Sequence, residues 1–479
     1  MTCPARKEKP GLISRLALAA CDEAWLRTLS GSTAGTLWSW FSRRGRRISS
    51  APVQRFACWL ELISFLVVLA LAMALGMRQF ANDREGLALF VLAAAGLRLA
   101  GAWLGGKEVY RATAIDGVVL AYFGANVVAT FASHYLLASM TGLAKLAVFV
   151  TGYFLFVAVL GQSRRRMVAV IACLVLSGLA VALYGLYQYK IGVAPLATWE
   201  DPSVEMQGTR IYSTLGNPNL LAGYLVPLVP LSFALAMVAA WGKRLYLCLP
   251  LLGITGVLAL AVVLTGSRGG YIGLIGAASG LAMIAGNWLW REQPRTRLWI
   301  LIGLCALPVF AWLAVHFVPA VEQRFMSIFA GGEHTSNRYR LNVWLSSLQM
   351  FKDNWWFGVG PGNKAFRLAY GLYMISSFDA LGTYCVPLEV AVEAGVAGLA
   401  SFAALVVGLL ARAHLNFYAT ADGGLRWLIA GLAAALVGLM AHGLVDTVFY
   451  RPQVQFIFWI AAALIVTAGP SAAQPSSGD

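Results

Sequence analysis

Long apolar runs separated by short polar segments dominate the chain from residue 57 to residue 469. Each run is close to the ~20 apolar residues that an α-helix needs to cross the hydrocarbon core of a bilayer. The pattern predicts about twelve membrane-spanning helices, at 57–77, 86–104, 114–132, 142–160, 167–188, 219–241, 245–265, 271–290, 298–317, 395–411, 427–447 and 454–469. We therefore expect an all-α integral membrane protein.

Three segments fall outside the predicted spans. Residues 1–56 form a polar, basic leader with an amphipathic stretch that we expect on the membrane surface, and residues 470–479 form a tail that we expect to be disordered. Between spans nine and ten, residues 318–394 form a large loop with apolar residues at helical spacing, namely Leu341, Trp344, Leu345, Leu348 and Phe351. The expected organisation is a membrane domain of spans 57–317 and 395–469 with a helical loop between its two parts.

Composition and charge agree with a membrane protein. The 479 residues are 59% hydrophobic and 12% charged, too little charge to cover a soluble domain. The net charge of +15 concentrates in the leader and in every second short connection, which is the positive-inside pattern. It predicts cytoplasmic termini, a plasma (inner) membrane location and contacts with lipid headgroups, and it explains the charge without nucleic acid.

Motifs for metals and nucleotides do not occur in the sequence. The seven cysteines form no C-x-x-C pair and no Cys/His cluster with zinc spacing. The sequence also contains no phosphate-binding P-loop motif and no soluble nucleotide-binding domain. We expect neither a cofactor nor a metal.

Several arginines fall on the predicted outer side, where the positive-inside rule disfavours them. They are Arg210, Arg268, Arg338, Arg340 and Arg451. They could pair with Asp446, Glu389 or lipid phosphate, or they could bind an anionic ligand such as a phosphate, whose oxygens fit the planar guanidinium fork. The glycines beside Arg268 in "TGSRGG" would let a ligand approach the backbone closely.

Two histidines on the same side are candidate general bases. His334, in "GGEHTSN", has the surroundings of a solvated loop residue. In "HGLVD", Asp446 follows His442 at a spacing of one helical turn, so we expect the two on one helix face, as a structural or a functional pair.

Six stretches together resemble the O-antigen ligase/polymerase superfamily of membrane glycosyltransferases over roughly residues 140–465. They are "TRIYSTLGNPNLLAGYLVP", "TGSRGGYIG", "SNRYRLNVWLSSLQM", "GVGPGNKAF", "YCVPLEVAVEAGVAGL" and "HGLVDTVFYRP". The chain looks most like the cyanobacterial IctB branch, which is named as a putative inorganic carbon (bicarbonate) transporter family.

The resemblance implies a fold similar to that of GT-C glycosyltransferases. It also implies an undecaprenyl-diphosphate-linked glycan as donor at the outer leaflet, a glycan acceptor, and inverting transfer without a metal. Arg210 and Arg268 match the arginines that bind the diphosphate, and Arg338, Arg340 and Arg451 would add anion contacts. Asn217 and Asn219 of the first stretch are further candidate substrate contacts. Aromatic residues of the loops would stack on sugar or anchor at the interface, among them Trp199, Trp355, Trp356 and Tyr370.

One departure affects the expected catalytic base. The superfamily has a loop pattern His-Asn-x-x-Leu-Glu-x-x-x-Glu-x-Gly-x-x-Gly, whose histidine is the proposed base. The end of the pattern matches here, from Leu388 and Glu389 onward, but its first two residues are Tyr384 and Cys385. Because tyrosine has an unperturbed pKa of about 10, it is a poor base at neutral pH. The candidates for the base are therefore His334, His442, Glu389 and Tyr384.

Three functions stay open from the sequence: transfer of a lipid-linked glycan, bicarbonate transport, and a non-catalytic role in a membrane assembly. A transporter typically has an internal repeat, interrupted helices and ionisable groups at the membrane midplane. No repeat is evident, and ionisable residues within the spans are sparse, namely Glu61, Arg98 and Lys145. The large one-sided loop favours glycan transfer.

Overall fold

A computed structural model describes residues 11–32, 50–77, 84–106, 110, 112–161, 163–194, 210–298, 335–375 and 378–469, and within these ranges all regular structure is helical. The helices, numbered in chain order, are α1 (Leu12–Leu16), α2 (Asp22–Gly31), α3 (Ala51–Ala74), α4 (Arg84–Gly105), α5 (Ala114–Ala132), α6 (Leu136–Leu160), α7 (Arg164–Ile191), α8 (Pro218–Leu225), α9 (Leu228–Trp241), α10 (Leu245–Leu264), α11 (Arg268–Leu281), α12 (Asn287–Glu292), α13 (Thr335–Asp353), α14 (Asn363–Tyr370), α15 (Val386–Ala419), α16 (Gly423–Gly443) and α17 (Pro452–Thr467).

Within the described ranges, ten helical stretches are long and apolar enough to cross a membrane, and α17 is a shorter apolar helix. The helices α8 and α9 form one of these stretches, Pro218–Trp241, and α11 and α12 form another, Arg268–Glu292. Residues 299–317 of the predicted span at 298–317 lie outside the described residues. The prediction of an all-α integral membrane protein is confirmed.

Glycines bring α11 against α16. A Cβ added at Gly273 would lie 3.1 Å from the carbonyl oxygen of Gly438, and one added at Gly438 would lie 2.8 Å from the Cβ of Ala277. Packing density in a helix bundle depends on such small residues because they let the backbones approach closely. The first turn of α11 is therefore held in a fixed position beside the last turn of α16.

The helices α13 and α14 form a layer at one end of the bundle, which we call the loop-bearing end. The layer has its own small core, which includes Val343, Met350, Phe366 and Tyr370. As the apolar spacing predicts, α13 covers the segment Thr335–Asp353. A connection between the two helices reaches the membrane domain, since a Cβ at Gly142 of α6 would collide with the carbonyl of Pro361.

A break in α15 receives this connection. At Ala394 and Gly395 the backbone leaves the helical region, with φ of +63° at Gly395. The amides of Val359 and Gly360 donate to the carbonyls of Val392 and Glu393 at 2.9 and 3.0 Å. These donors satisfy carbonyls that the break would otherwise leave unpaired inside an apolar bundle. The loop layer thus anchors on α15, and α15 extends into the segment predicted as loop.

Helix α2 of the leader is fixed to the bundle through Asp22. The carboxylate of Asp22 in α2 accepts two hydrogen bonds from Arg412 of α15, at 2.7 and 2.8 Å. The same carboxylate caps α5 by accepting from the amide of Ala114 at 2.8 Å. A bidentate ion pair of this kind gives both orientation and stability.

Candidate anion-binding site

Hydrogen bonds hold the segment that carries Arg210 in place at the loop-bearing end of the bundle. Arg210 Nε donates to the carbonyl of Thr265 at 2.9 Å, and the Arg210 Nη2 donates to Asn219 Oδ1 at 3.4 Å. The next amide, that of Ile211, donates to the carbonyl of Leu264 at 3.3 Å. Arg210 therefore lies on the turn between α10 and α11.

That same turn carries Arg268. Gly266 has φ of +61°, a conformation that favours glycine. The hydroxyl of Ser267 caps α11 by accepting from the amide of Gly270 at 3.2 Å. Arg268 is the first residue of α11, and only 9% of its surface is exposed. The structure thus brings together the two arginines that were predicted to bind diphosphate.

Two helix N-termini meet at this turn. Asn217 caps α8, its side-chain oxygen accepting from the amides of Asn219 and Leu220 at 2.8 and 3.3 Å. The first turns of α8 and α11 are in contact, because a Cβ at Gly270 would lie 2.8 Å from the Cβ of Ala222. A helix N-terminus attracts anions through its dipole and its unpaired amides. The site combines two such termini with two arginines.

His442 lies beside the same turn but does not pair with Asp446. Its side chain is fully buried. Among the described residues, neither of its ring nitrogens has a hydrogen-bond partner. The ring faces α11, because a Cβ at Gly269 would lie 2.7 Å from Nε2. The expected His442–Asp446 pair on one helix face is wrong, because α16 ends at Gly443 and Asp446 lies in the turn that follows.

Asp446 pairs with the loop layer instead. Arg340 Nη2 of α13 lies 3.3 Å from Asp446 Oδ2, and the side chains are 16% and 5% exposed. The other carboxylate oxygen of Asp446 accepts from the amide of Thr447 at 2.8 Å. The sequence left Arg340 either to pair with an acidic residue or to bind an anionic ligand, and the structure has it paired with Asp446.

Tyr384 lies next to this ion pair. The guanidinium carbon of Arg340 is 6.0 Å from the centre of its ring, and the ring of Tyr339 packs edge-on against it at 5.7 Å. Burial raises the pKa of Tyr384 well above its usual range, and Tyr339 and Asp446 act in the same direction. Tyr384 also has φ of +55°, which is strained for a residue with a side chain.

Glu389 is linked to Asp446 through Thr447, the residue that follows Asp446 in the chain. The hydroxyl of Thr447 donates to Glu389 Oε2. Glu389 is in the first turn of α15. Of the candidate bases in the described residues, Glu389 and Tyr384 both lie in this group around Asp446.

The remaining predicted residues have other positions. Arg338 lies exposed on α13, and Arg451 precedes α17. His334 and Trp199 lie outside the described residues. Trp355 and Trp356 stack at 4.1 Å and are 45% and 59% exposed. Tyr370 is only 1% exposed, so the idea that it stacks on sugar is wrong.

Sequence reasoning missed two parts of the site. The meeting of the α8 and α11 N-termini was signalled by Asn217-Pro218 and by Ser267, which are typical starts of helices. Glu393 was noted only as part of a loop pattern, although it lines a cavity among the helices. No pattern in the sequence relates it to Lys145, which lies on α6.

The fold and the site define a multi-pass all-α membrane protein in which Arg210 and Arg268 lie at the turn between α10 and α11. Residues 251–403, from α10 through the loop layer into α15, match the family model described as O-Antigen ligase. This segment contains Arg268, Arg340, Tyr384 and Glu389, whereas Arg210 and His442 lie outside it. No curated protein matches the chain.

Proposed function

We propose that this protein binds a saccharide linked to a lipid diphosphate at the outer leaflet and transfers it to an acceptor glycan. The observation that carries the proposal is the turn between α10 and α11, where Arg210, Arg268 and the N-termini of α8 and α11 lie together. Four sources of positive potential at one place suit a diphosphate better than a single charge.

The location of the turn supports a lipid-borne substrate. Arg268 is the first residue of a membrane-spanning helix, so a phosphate at this turn would lie at the membrane boundary, with its lipid tail beside the apolar helices. The positive-inside charge pattern puts this end outside and both termini in the cytoplasm. Undecaprenyl diphosphate is the carrier that the O-antigen ligase resemblance implies.

The transfer requires little from the protein beyond binding and proton removal. The acceptor hydroxyl attacks the anomeric carbon, the bond from that carbon to the diphosphate oxygen breaks with inversion, and the electron pair leaves with the diphosphate. Arg210 and Arg268 stabilise the negative charge on the leaving group. The hydroxyl proton goes to a general base.

Glu389 suits the role of base better than Tyr384. A base must accept a proton near neutral pH, and burial moves the pKa of Tyr384 away from that range. Glu389 is a carboxylate within one hydrogen bond of Thr447, in the group that joins the loop layer to the membrane domain. Arg338 and Arg451 would guide the anionic substrate from the surface, whereas Arg340 is held by Asp446.

Bicarbonate transport is the second candidate, and one observation favours it. The break in α15 lies next to Glu393 within a membrane-spanning helix, and broken helices with ionisable groups are typical of transporters. The two arginines would bind bicarbonate as well as diphosphate. The cavity that Glu393 lines also contains Glu389 and one lysine, Lys145. Two carboxylates against one ammonium group oppose the passage of an anion.

Reconstitution in liposomes separates the two functions. The purified protein is supplied with undecaprenyl-diphosphate saccharide and an acceptor glycan in one arm, and with labelled bicarbonate in the other. We expect glycan transfer that Arg268→Ala abolishes and no bicarbonate uptake. Uptake that depends on Arg268, without glycan transfer, would show that the second candidate is correct.

A further inference from the structure

A polar cavity lies inside the helix bundle, apart from the arginine-lined turn. It has a volume of about 130 Å³, is partly open, and is bounded by α4, α5, α6, α15, α17 and the segment 361–363. Apolar side chains such as Phe149 and Phe456 form part of its wall. Its polar lining consists mainly of Tyr122, Asn126, Lys145, Glu389, Glu393 and Gln455.

The charges of the cavity are arranged around Glu393. The amide of Gly362 donates to its carboxylate, and Lys145 and Glu389 line the same cavity close to it. Tyr122 faces both carboxylates, and Asp446 acts on Glu389 from the end of α16. Ionisable groups inside a membrane domain are costly and typically serve ion or proton transfer.

The size of the cavity restricts what it can hold. Ligand pockets for drug-sized molecules occupy ~300–1,000 Å³, so the cavity is small for a glycan. At ~30 Å³ for each molecule in the liquid, the volume accommodates about four waters, and each would find the polar partners that a buried water needs. Because two carboxylates face one ammonium group, the charge also disfavours an anion.

The cavity connects to the group around Asp446. Glu389 lines the cavity and accepts a hydrogen bond from the hydroxyl of Thr447. The amide of Thr447 donates to Asp446, which pairs with Arg340 of the loop layer. A proton that arrives at Glu389 therefore has a polar space behind it that leads to Glu393.

We propose that this cavity is a hydrated proton-holding site in which water links Glu389 to Glu393, opposite Lys145. It deepens the proposed function and rests on it in one respect, the source of the proton. As the acceptor oxygen bonds to the anomeric carbon, its O–H bond breaks and the proton passes to Glu389. Water carries the proton to Glu393, and it returns to the solvent at the loop-bearing end after the diphosphate has left.

Hydroxyl-radical footprinting of the protein in nanodiscs tests the water. Radicals generated from bound water oxidise neighbouring side chains even where bulk solvent is excluded. Phe456 lines the cavity and is 1% exposed, whereas the matched control Phe417 is 0% exposed and lies outside it. We expect oxidation of Phe456 well above that of Phe417. Equal protection of both would overturn the hydrated site.

Infrared difference spectroscopy tests the proton. A pH titration of the wild type is expected to show the C=O stretching band of a protonated carboxylic acid, which Glu393→Gln removes or diminishes. Lys145→Met should let the band persist to higher pH, because the ammonium no longer favours the carboxylate. The control is Glu85→Gln, an exposed residue at the start of α4. A band unchanged in Glu393→Gln contradicts the proposal.

The two proposals fail differently. If the protein transfers glycan and Glu393→Gln leaves the pH profile of transfer unchanged, the proton-holding role is overturned and glycan transfer stands. If footprinting and the infrared band reveal the hydrated site but no glycan transfer occurs, glycan transfer is overturned and the site stands as a proton-binding cavity.

Discussion

The imidazole of His442 lies directly against Gly269 in the first turn of α11, so the last turn of α16 and the turn that carries Arg268 share one contact. A Cβ at position 269 would lie 2.7 Å from Nε2 of the histidine. Position 269 therefore has no room for a side chain unless His442 moves. The contact links the order of the arginine-lined turn to the position of α16.

Gly269→Ala is expected to displace His442 and disturb the turn. Overpacking of this kind costs ~1–3 kcal/mol, so the melting temperature should fall and binding of undecaprenyl diphosphate should weaken. Thermal unfolding in detergent and a binding titration measure the two effects. The control is Gly253→Ala in α10, where no atom of the described residues lies within 4 Å of the added Cβ. The same result for both variants would refute the role of the contact.

Replacing Arg268 should weaken anion binding without unfolding the protein. A hydrogen bond to a charged group contributes ~1.5–3 kcal/mol, so Arg268→Ala is expected to weaken diphosphate binding by about 10- to 100-fold. Arg268→Lys should restore only part of the affinity, because an ammonium group lacks the planar fork. Arg244→Ala, at an exposed position at the opposite end of α10, serves as the control. Equal affinities of Arg268→Ala and Arg244→Ala would argue against the site.

The ion pair between Arg340 and Asp446 should stabilise the docking of the loop layer. Asp446→Asn leaves the partly buried Arg340 without its counter-charge, and we expect a loss of ~2–3 kcal/mol. The double variant Arg340→Met with Asp446→Asn should recover part of that loss, which thermal unfolding would show. Asp379→Asn breaks the pair of Arg367 with Asp379, whose side chains are 53% and 66% exposed. Its cost should be less than ~1 kcal/mol, and a cost as large as that of Asp446→Asn would contradict the prediction.

The break in α15 should depend on glycine. Gly395→Ala places a side chain at φ of +63° and drives its Cβ into the carbonyl of Trp356. We expect a loss of more than ~3 kcal/mol, since backbone strain and a steric clash add. Gly371→Ala is the matched control, because φ there is −55° and the nearest atom to the added Cβ is 3.6 Å away. Unfolding in denaturant measures the free energy of unfolding of both variants. Similar values would contradict the prediction that a side chain at position 395 strains the backbone.

The raised pKa of Tyr384 should make the stability of the folded protein depend on pH in alkaline solution. Its pKa is raised in the folded protein, so its contribution to stability is complete below the unfolded pKa of ~10 and is lost as the pH rises through the folded value. Tyr384→Phe should therefore reduce the loss of stability between neutral and strongly alkaline pH. The variant should also retain glycan transfer at neutral pH, whereas Glu389→Gln should lose ~100-fold or more. Loss of transfer in Tyr384→Phe alone would assign the base to the tyrosine.

The hydropathy pattern predicted most of the fold because each span must satisfy its own backbone within lipid. It located α10 to within one residue of Leu245–Leu264. It gave span ten as 395–411, whereas α15 is a longer helical stretch, Val386–Ala419. The first turns of α15 contain Glu389 and Glu393 and pack on the loop layer, and a hydropathy pattern reads such polar turns as loop.

The candidate site was predictable where motifs fix the backbone and not where distant segments meet. "GSRGG" and "NPN" indicate tight turns and helix starts, and those turns do carry Arg268 and Asn217. The partner of Asp446 was not predictable, because Arg340 lies 106 positions away in the chain. The spacing of one helical turn predicted His442 as the partner of Asp446. Because α16 ends at Gly443, Asp446 lies beyond the helix and pairs with Arg340 of the loop layer instead.

The carboxylate of Asp22, which accepts hydrogen bonds from Ala114 and Arg412, also bears on the order of assembly. The two side chains of the ion pair are 390 positions apart, whereas Asp22 and Ala114 are 92 positions apart. During synthesis the leader can cap α5 early, yet its carboxylate waits for Arg412 until α15 has been made. The contact between Asp22 and Arg412 can therefore form only after α15 has been made, with α16 and α17 still to follow, and a leader that is shortened or tagged near residue 22 should leave the chain without it.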